Sequence, residues 1–186
     1  VIVNALKQLY PNIPIISEEN KLLEYEERRD WEWCWLVDPL DGTKEFIKKN
    51  GEFTVNIALI HHNTIAAGVV FVPAQNKVFY ATKGQGAFLI DNGSEPQLLN
   101  IRPLAVDGKL KVVGSRSHNS KEVDDYVNQL RSKFNDIEFV AAGSSLKFCL
   151  IAEGKADVYP RLAPTMEWDT GAGQIVASEA GAEVLR

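Results

Sequence analysis

Two cysteines in 186 residues, Cys34 and Cys149, are too few and too far apart in sequence to build a disulfide framework, so the fold must rest on an apolar core. Both thiols read as buried and reduced, which suits a cytoplasmic protein. No apolar run approaches the length of a membrane span, and the first residues carry neither the basic nor the apolar region of a signal peptide. An excess of positive charge is also missing. The formal net charge is -5, which argues against a broad surface for a nucleic acid polymer, because polyanions are met by clustered Lys and Arg. A small anionic ligand stays compatible with that charge, since a few local cations or metal ions suffice to hold it. Internal repeats and low-complexity segments are absent as well. What is there, 45% hydrophobic and 24% charged residues, is ample for one large domain or two smaller subdomains.

Val1, Ile2, Ala5, Leu6 and Leu9 keep helical spacing from the first residue with no capping signal before them, and residues 182–186 read as the start of a strand. The chain is therefore expected to be a fragment with further parts on both sides. Residues 13–16 form a short apolar run ending at Ser17-Glu18-Glu19. The charge-rich stretch 20–32 reads as a solvated loop or helix. Trp31, Trp33 and Trp35 then alternate into Leu36 and Val37, a strand expected to end at Asp38-Pro39 because proline cannot donate to a sheet ladder. Alternation over 53–59, and runs over 65–72 and 78–81, predict an antiparallel meander. The dipeptide Asn92-Gly93 marks a tight turn. From 110 onward the rhythm changes to strand 110–114, helix 120–134, strand 137–141, a helix opened by Gly143-Ser144-Ser145 and ended by Gly154, strand 157–159, and a last helix over 169–180 stopped by Gly181.

The sharpest chemical signal is Asp38-Pro39-Leu40-Asp41-Gly42-Thr43, with two carboxylates three residues apart in a turn. Hard cations need such oxygen ligands. Proline sets the backbone direction, glycine permits a tight bend, and the turn can aim both carboxylates and the Leu40 carbonyl at one point. A surface turn with a helix N-cap explains the same hexapeptide equally well. Other acids sit at two further structural breaks, Glu18-Glu19 at a strand end and Asp169 at a helix start. Each alone has a bland reading as solvated charge or cap.

Taken together, Ser17-Glu18-Glu19, Asp38-Pro39-Leu40-Asp41-Gly42-Thr43 and Trp168-Asp169-Thr170-Gly171-Ala172-Gly173 resemble, in order, the three metal-binding motifs of the lithium-sensitive inositol monophosphatase superfamily. Lys44-Glu45-Phe46, the run from Gly51 to Leu59, Gly114-Ser115-Arg116-Ser117-His118 and Tyr159-Pro160-Arg161 are similar to its bacterial 3'(2'),5'-bisphosphate nucleotidase branch, and the likeness covers nearly the whole chain. The resemblance implies a layered αβαβα sandwich, an α/β (α+β) fold. It implies Mg2+ held by Glu18, Asp38 and the Leu40 carbonyl, a second ion held by Asp38, Asp41 and Asp169, and a third facing Glu18, with Mn2+ as a substitute and Li+ and Ca2+ as inhibitors. Thr43, with Glu18 and Asp41, would take part in catalysis, Thr43 orienting the attacking water together with an acid from a segment before Val1. The implied reaction is hydrolysis of adenosine 3',5'-bisphosphate, a by-product of sulfate assimilation, to AMP and phosphate, with action on 3'-phosphoadenylyl sulfate also compatible. A homodimer and, as in some bacterial relatives, peripheral association with the inner membrane fit the same resemblance.

Substrate contacts are expected from Gly42 and Thr43, from Ser144 and Ser145 at a helix start where N–H groups and hydroxyls can meet an anion, and from Lys147, Arg116, His118 and Arg161. Each has a structural alternative: Ser144 as a cap, Lys147 as solvated charge, His118 as a cap or packing residue. Gly84-Gln85-Gly86 lacks the spacing of a Walker phosphate loop. His61-His62 reads as a hairpin turn, with no second histidine-bearing segment at zinc spacing. An N-terminal sheet over 1–103 is expected to join an α/β half over 104–186 near Pro103, with the metal site between them. Arg161, where the inositol enzymes carry an acidic sugar-binding residue, favours a nucleotide over an inositol substrate. A sugar phosphatase of the same superfamily and a non-catalytic metal- or nucleotide-binding module are the alternatives.

Overall fold

A computed structural model of the chain describes residues 1–21, 23–101, 103–104, 109–115 and 121–185. Its centre is a seven-stranded sheet in the order β1 to β7: β1 (Ile15–Ser17), β2 (Trp33–Asp41), β3 (Thr54–His61), β4 (Thr64–Val72), β5 (Lys77–Thr82), β6 (Ala87–Asp91) and β7 (Gln97–Leu99). The β1–β2 pair is parallel and every later neighbour is antiparallel, so the expected meander is present and extends to β7. Its hairpin turns use left-handed residues at His62, Asn76 and Asn92-Gly93, the conformation that tight connections between twisted strands require.

Short helices α1 (Ile2–Leu9), α2 (Tyr25–Arg28) and α3 (Thr43–Lys48) surround the first strands. The later chain supplies a parallel pair, β8 (Lys109–Gly114) and β9 (Asp136–Ala141), with α4 (Lys121–Arg131) between them, then α5 (Leu146–Ala152) and α6 (Glu167–Glu179). Helix α6 lies across the large sheet, against β2 to β6, and packs on α5. It can do so because Gly171, Ala172, Gly173 and Ala177 keep its buried surface low, and Gly68 of β4 faces it without a side chain. On the other side of α5 and α6, a smaller cluster of Val113, Ala142, Ile151, Ala156 and Ala177 joins them to β8. The result is a mixed α/β sandwich of sheet, helices and second sheet.

The main core contains Ile16, Val70, Phe79 and Leu99 from before Pro103 together with Leu146, Cys149, Ile175 and Val176 from after it. Several local expectations change. Strand β2 does not end at Asp38-Pro39 but runs to Asp41, with an irregularity between Asp38 and Asp41 that takes Pro39 out of the ladder and so accommodates its missing N–H. Helix α6 begins at Glu167, which puts Asp169 inside its first turn. Residues 157–159 contribute only a single parallel bridge, Val158 to Val112, and 182–185 form no strand. Cys149 is buried but Cys34 is only half-buried, and both are free thiols. Burial pushes the Cys34 thiol up to about 11 and Cys149 well above its ordinary value.

Candidate metal centre

Residues three apart on a regular strand point to opposite faces. The irregularity between Asp38 and Asp41 breaks that rule and turns both carboxylates the same way, while the Asp38 carboxylate accepts the Leu40 N–H at 2.9 Å and stabilises the bend. Asp169 enters from the first turn of α6, where its Oδ2 accepts the Met166 N–H at 3.1 Å and the Thr165 hydroxyl at 2.9 Å. It therefore serves as a helix cap and also as a site acid. Asp38, Asp41 and Asp169 each bring one carboxylate oxygen to within 4.8 Å of the others. Glu18, exposed just beyond β1, stands outside that triad, although its charge acts on Asp38.

Asp38 is 1% exposed. Burial first, and then the charges of Asp41, Glu18 and Asp169, raise its carboxyl to about 8 against the opposing pull of the Leu40 N–H. A buried acid in the company of three others is an arrangement that a dication relieves. The donor set is all carboxylate oxygen, which suits magnesium or manganese over softer metals.

Beneath the triad lies a polar layer. The Asp41 Oδ2 accepts the Ser145 N–H, the Ser145 hydroxyl and the Ser144 hydroxyl, each at 2.7 Å. The Asn56 amide reaches the same oxygen at 3.2 Å and Ser145 Oγ at 2.9 Å. Thr54 and Asn56 are fully buried and support this layer from β3. Sequence reading missed them. Their signal was polarity at 54 and 56, alternate positions of one face of β3, and the structure buries that face together with Ala58.

Beside the acids opens a cavity of about 180 Å³ whose walls include Lys44, Ser144, Lys147, Tyr159, Arg161 and Thr165. Lys147 is 6% exposed, its Nζ donates to the Ser144 carbonyl at 2.6 Å, and it sits 5.5 Å from the Tyr159 ring centre. Burial lowers its pKa; Asp41 opposes that shift and Arg161 adds to it. Burial likewise pushes the Tyr159 hydroxyl up to about 12, which keeps it neutral and able to donate. The solvated-charge reading of Lys147 is thus excluded by its burial. Ser144 occupies the left-handed region at φ 52° and contributes no side-chain cap to α5. Gly42 and Asp41 line the same cavity. Gly42, at φ 87°, approaches Ser144 so closely that an added Cβ would stand 3.1 Å from the serine Cβ. Thr43 opens α3 and is exposed. Arg116 and His118 lie outside the described residues.

A sandwich of this topology, with acids from one strand end and a helix start gathered at one point, defines a class. The inositol monophosphatase family profile matches residues 1–186, and the chain belongs to that family. Within it, the chain is 48% identical over 186 residues to the 3'(2'),5'-bisphosphate nucleotidase CysQ of Escherichia coli O6:H1 and 47% identical to that of strain K12, covering 99% of this chain and 71% of each relative. Among solved structures, CysQ from Bacteroides thetaiotaomicron superposes with a TM-score of 0.86 at 42% identity, over 96% of this chain and 71% of that one. SuhB of Mycobacterium tuberculosis gives 0.78 at 28% identity, over 99% and 71%. Among the described residues, no helix is long and apolar enough to cross a membrane.

Proposed function

We propose that this chain carries the catalytic centre of a magnesium-dependent 3'(2'),5'-bisphosphate nucleotidase, which hydrolyses adenosine 3',5'-bisphosphate to AMP and phosphate. The observation that carries the reading is the placement of Asp38, Asp41 and Asp169 at the edge of a cavity that also holds Lys44, Lys147 and Arg161. The acids suit dications and the ester phosphate those ions would clamp. The cations suit the second phosphate, which an inositol monophosphate lacks. Identity at nearly half the positions with proteins named as bisphosphate nucleotidases supports the same choice.

In this reading Glu18, Asp38, Asp41, Asp169 and the Leu40 carbonyl would hold two magnesium ions, and Glu18 would also serve a third. When bound, such ions neutralise the ester phosphate and lower the pKa of a coordinated water. The chain's own groups do the positioning. Gly42 and Thr43, at the start of α3, approach the phosphate, and the Thr43 hydroxyl orients the water for in-line attack on phosphorus. As the new bond from the water oxygen to phosphorus forms, the bond from phosphorus to the ribose 3' oxygen breaks, and the proton given up by the water ends on that oxygen, which leaves as the 3' hydroxyl of AMP. Ser144 and Ser145 keep Asp41 fixed, while Lys147, Arg161, Arg116 and His118 meet the second phosphate or the nucleoside. Action on 3'-phosphoadenylyl sulfate, inhibition by Li+ and Ca2+, and assembly as a homodimer belong to the same proposal.

The test is phosphate release from adenosine 3',5'-bisphosphate and from inositol monophosphate, each with and without magnesium. A wide preference for the bisphosphate, dependent on magnesium, is expected. Comparable kcat/KM for the two would move the assignment to a broader sugar phosphatase, and no release from either would leave a binding module.

A further inference from the structure

At the opposite end of β2 and β3 from the acids, the strand pair closes with Trp33 opposite His61. Five ladder positions separate that pair from Asp38 opposite Asn56, on the order of 17 Å at a strand's rise per residue. Here Glu32, His61 and His62 each place one ligand-type atom within 4.8 Å of the others. Neighbouring strand residues normally point to opposite faces, so adjacent histidines should diverge. They do not, because His62 turns into the left-handed region at φ 51°, and its ring comes to 4.4 Å from that of His61.

Two further contacts hold the group in place. The His62 N–H donates to the Glu32 carbonyl at 2.6 Å, which ties the hairpin to the residue that supplies the carboxylate. The Trp33 ring stacks on His61 with centroids 4.0 Å apart and planes 20° from parallel, which restrains the imidazole. The His61 Nε2 lies 3.5 Å from the Glu32 Oε1, close enough for both to turn toward one ion.

We propose that Glu32, His61 and His62 form a second metal site, specific for a borderline transition dication such as Zn2+, and separate from the oxygen-only cluster of Asp38, Asp41 and Asp169. Two imidazoles and one carboxylate make a three-ligand protein set for tetrahedral zinc, with water in the fourth position. Imidazole ligands favour Zn2+, Ni2+ and Cu2+ over Mg2+, whereas the aspartate cluster favours hard cations, so ligand chemistry sorts the two metals between the two ends of the sheet. An ion here would clamp the start of β2 to the β3–β4 hairpin and stabilise the folded chain by linkage.

The experiment is zinc binding to the full chain at saturating magnesium, which keeps the aspartate cluster occupied by its own cation. Bound zinc is counted by elemental analysis after gel filtration, and Co2+ is used in parallel as an optical probe of nitrogen and oxygen ligation. One zinc equivalent is expected for the wild type and for Asp41→Asn, with that equivalent and the cobalt spectrum lost in His61→Ala/His62→Ala. Glu32→Gln leaves the backbone contact of residue 32 in place, so it tests the carboxylate with the hairpin intact, and weaker zinc retention is expected. An unchanged zinc count in both variants, loss of the equivalent in Asp41→Asn alone, or no zinc bound by the wild type would overturn the proposal.

Discussion

Ser145 grips Asp41 twice, through its backbone N–H and its hydroxyl, both at 2.7 Å from the same carboxylate oxygen, while the hydroxyl also lies 2.7 Å from the Asp169 carbonyl. One side chain at the start of α5 thus connects an acid from β2 to the first turn of α6. These elements stand 104 and 24 residues away in sequence. Their relative positions decide whether the acids converge.

Ser145→Ala should accordingly weaken metal binding more than it weakens the fold. Removal of a hydroxyl that bonds a charged group costs about 1–3 kcal/mol. The measure is the melting shift produced by a magnesium titration, expected to need about tenfold more metal for the same shift. An unaltered titration would show that Asp41 is held without the hydroxyl.

Asp38 makes stability depend on pH in a direction opposite to that of an ordinary salt-bridged acid. Its carboxyl is raised from 3.8 to about 8, so the folded metal-free chain holds a proton that the unfolded chain has already lost. The associated stability is fully present below pH 3.8 and is lost as pH rises toward 8. Metal-free protein should therefore lose melting temperature between these limits, and magnesium, which displaces the proton, should restore more at the upper end. Asp38→Asn should flatten the metal-free profile, keep the fold, and abolish turnover. A metal-free profile identical to wild type in that variant would remove Asp38 as its source.

Lys147 is buried against Tyr159 and the Ser144 carbonyl, so its charge is available to a ligand in the cavity and poorly screened by water. Lys147→Gln should raise KM for a bisphosphate substrate by at least about tenfold, the loss of a hydrogen bond to a charged group, while changing turnover of a monophosphate much less. Steady-state kinetics on both substrates separates these effects. Equal losses would assign Lys147 to shaping the site as a whole.

Gly68→Ala should damage the site from a distance. The new Cβ would meet Ile175 Cγ2 at 2.6 Å and the backbone of Ala172 at 2.9 and 3.0 Å, and backbone atoms of a helix cannot rotate away. Helix α6 must shift off the sheet, at about 1–3 kcal/mol for overpacking. Because Asp169 rides on its first turn, both melting temperature and magnesium affinity should fall. A loss of stability with metal affinity unchanged would mean that Asp169 is held by its cap alone.

Local chemistry was legible where a residue's meaning depends on its neighbours in sequence. Proline and two carboxylates within 38–41, glycine at 42, and Asn92-Gly93 announce bends whatever they pack against, because they restrict or free the backbone directly. Helical apolar spacing announced α1 and alternating spacing announced the meander for the same reason, and Gly181 marked the end of α6. The Gly84-Gln85-Gly86 turn lacks the spacing of a Walker phosphate loop, yet its Gly84 and Gly86 N–H groups do hold an anion, the Glu179 carboxylate, at 2.9 and 3.0 Å. The partner comes from α6, and nothing near residue 84 foretells it.

The inventory was legible along the chain: which acids stand at breaks, which runs alternate, and which motifs occur in family order. Tertiary structure alone decided their company. A strand irregularity aimed Asp38 and Asp41 together, the polar face of β3 went inward to meet Ser145, and burial turned Asp38 into an acid raised to about 8. The same is true of Glu32 beside His61 and His62, joined only by the register of β2 on β3. Burial, electrostatic coupling and hydrogen bonding act over a few ångströms of space, whereas Asp41 and Ser145, which they connect here, lie 104 positions apart along the chain.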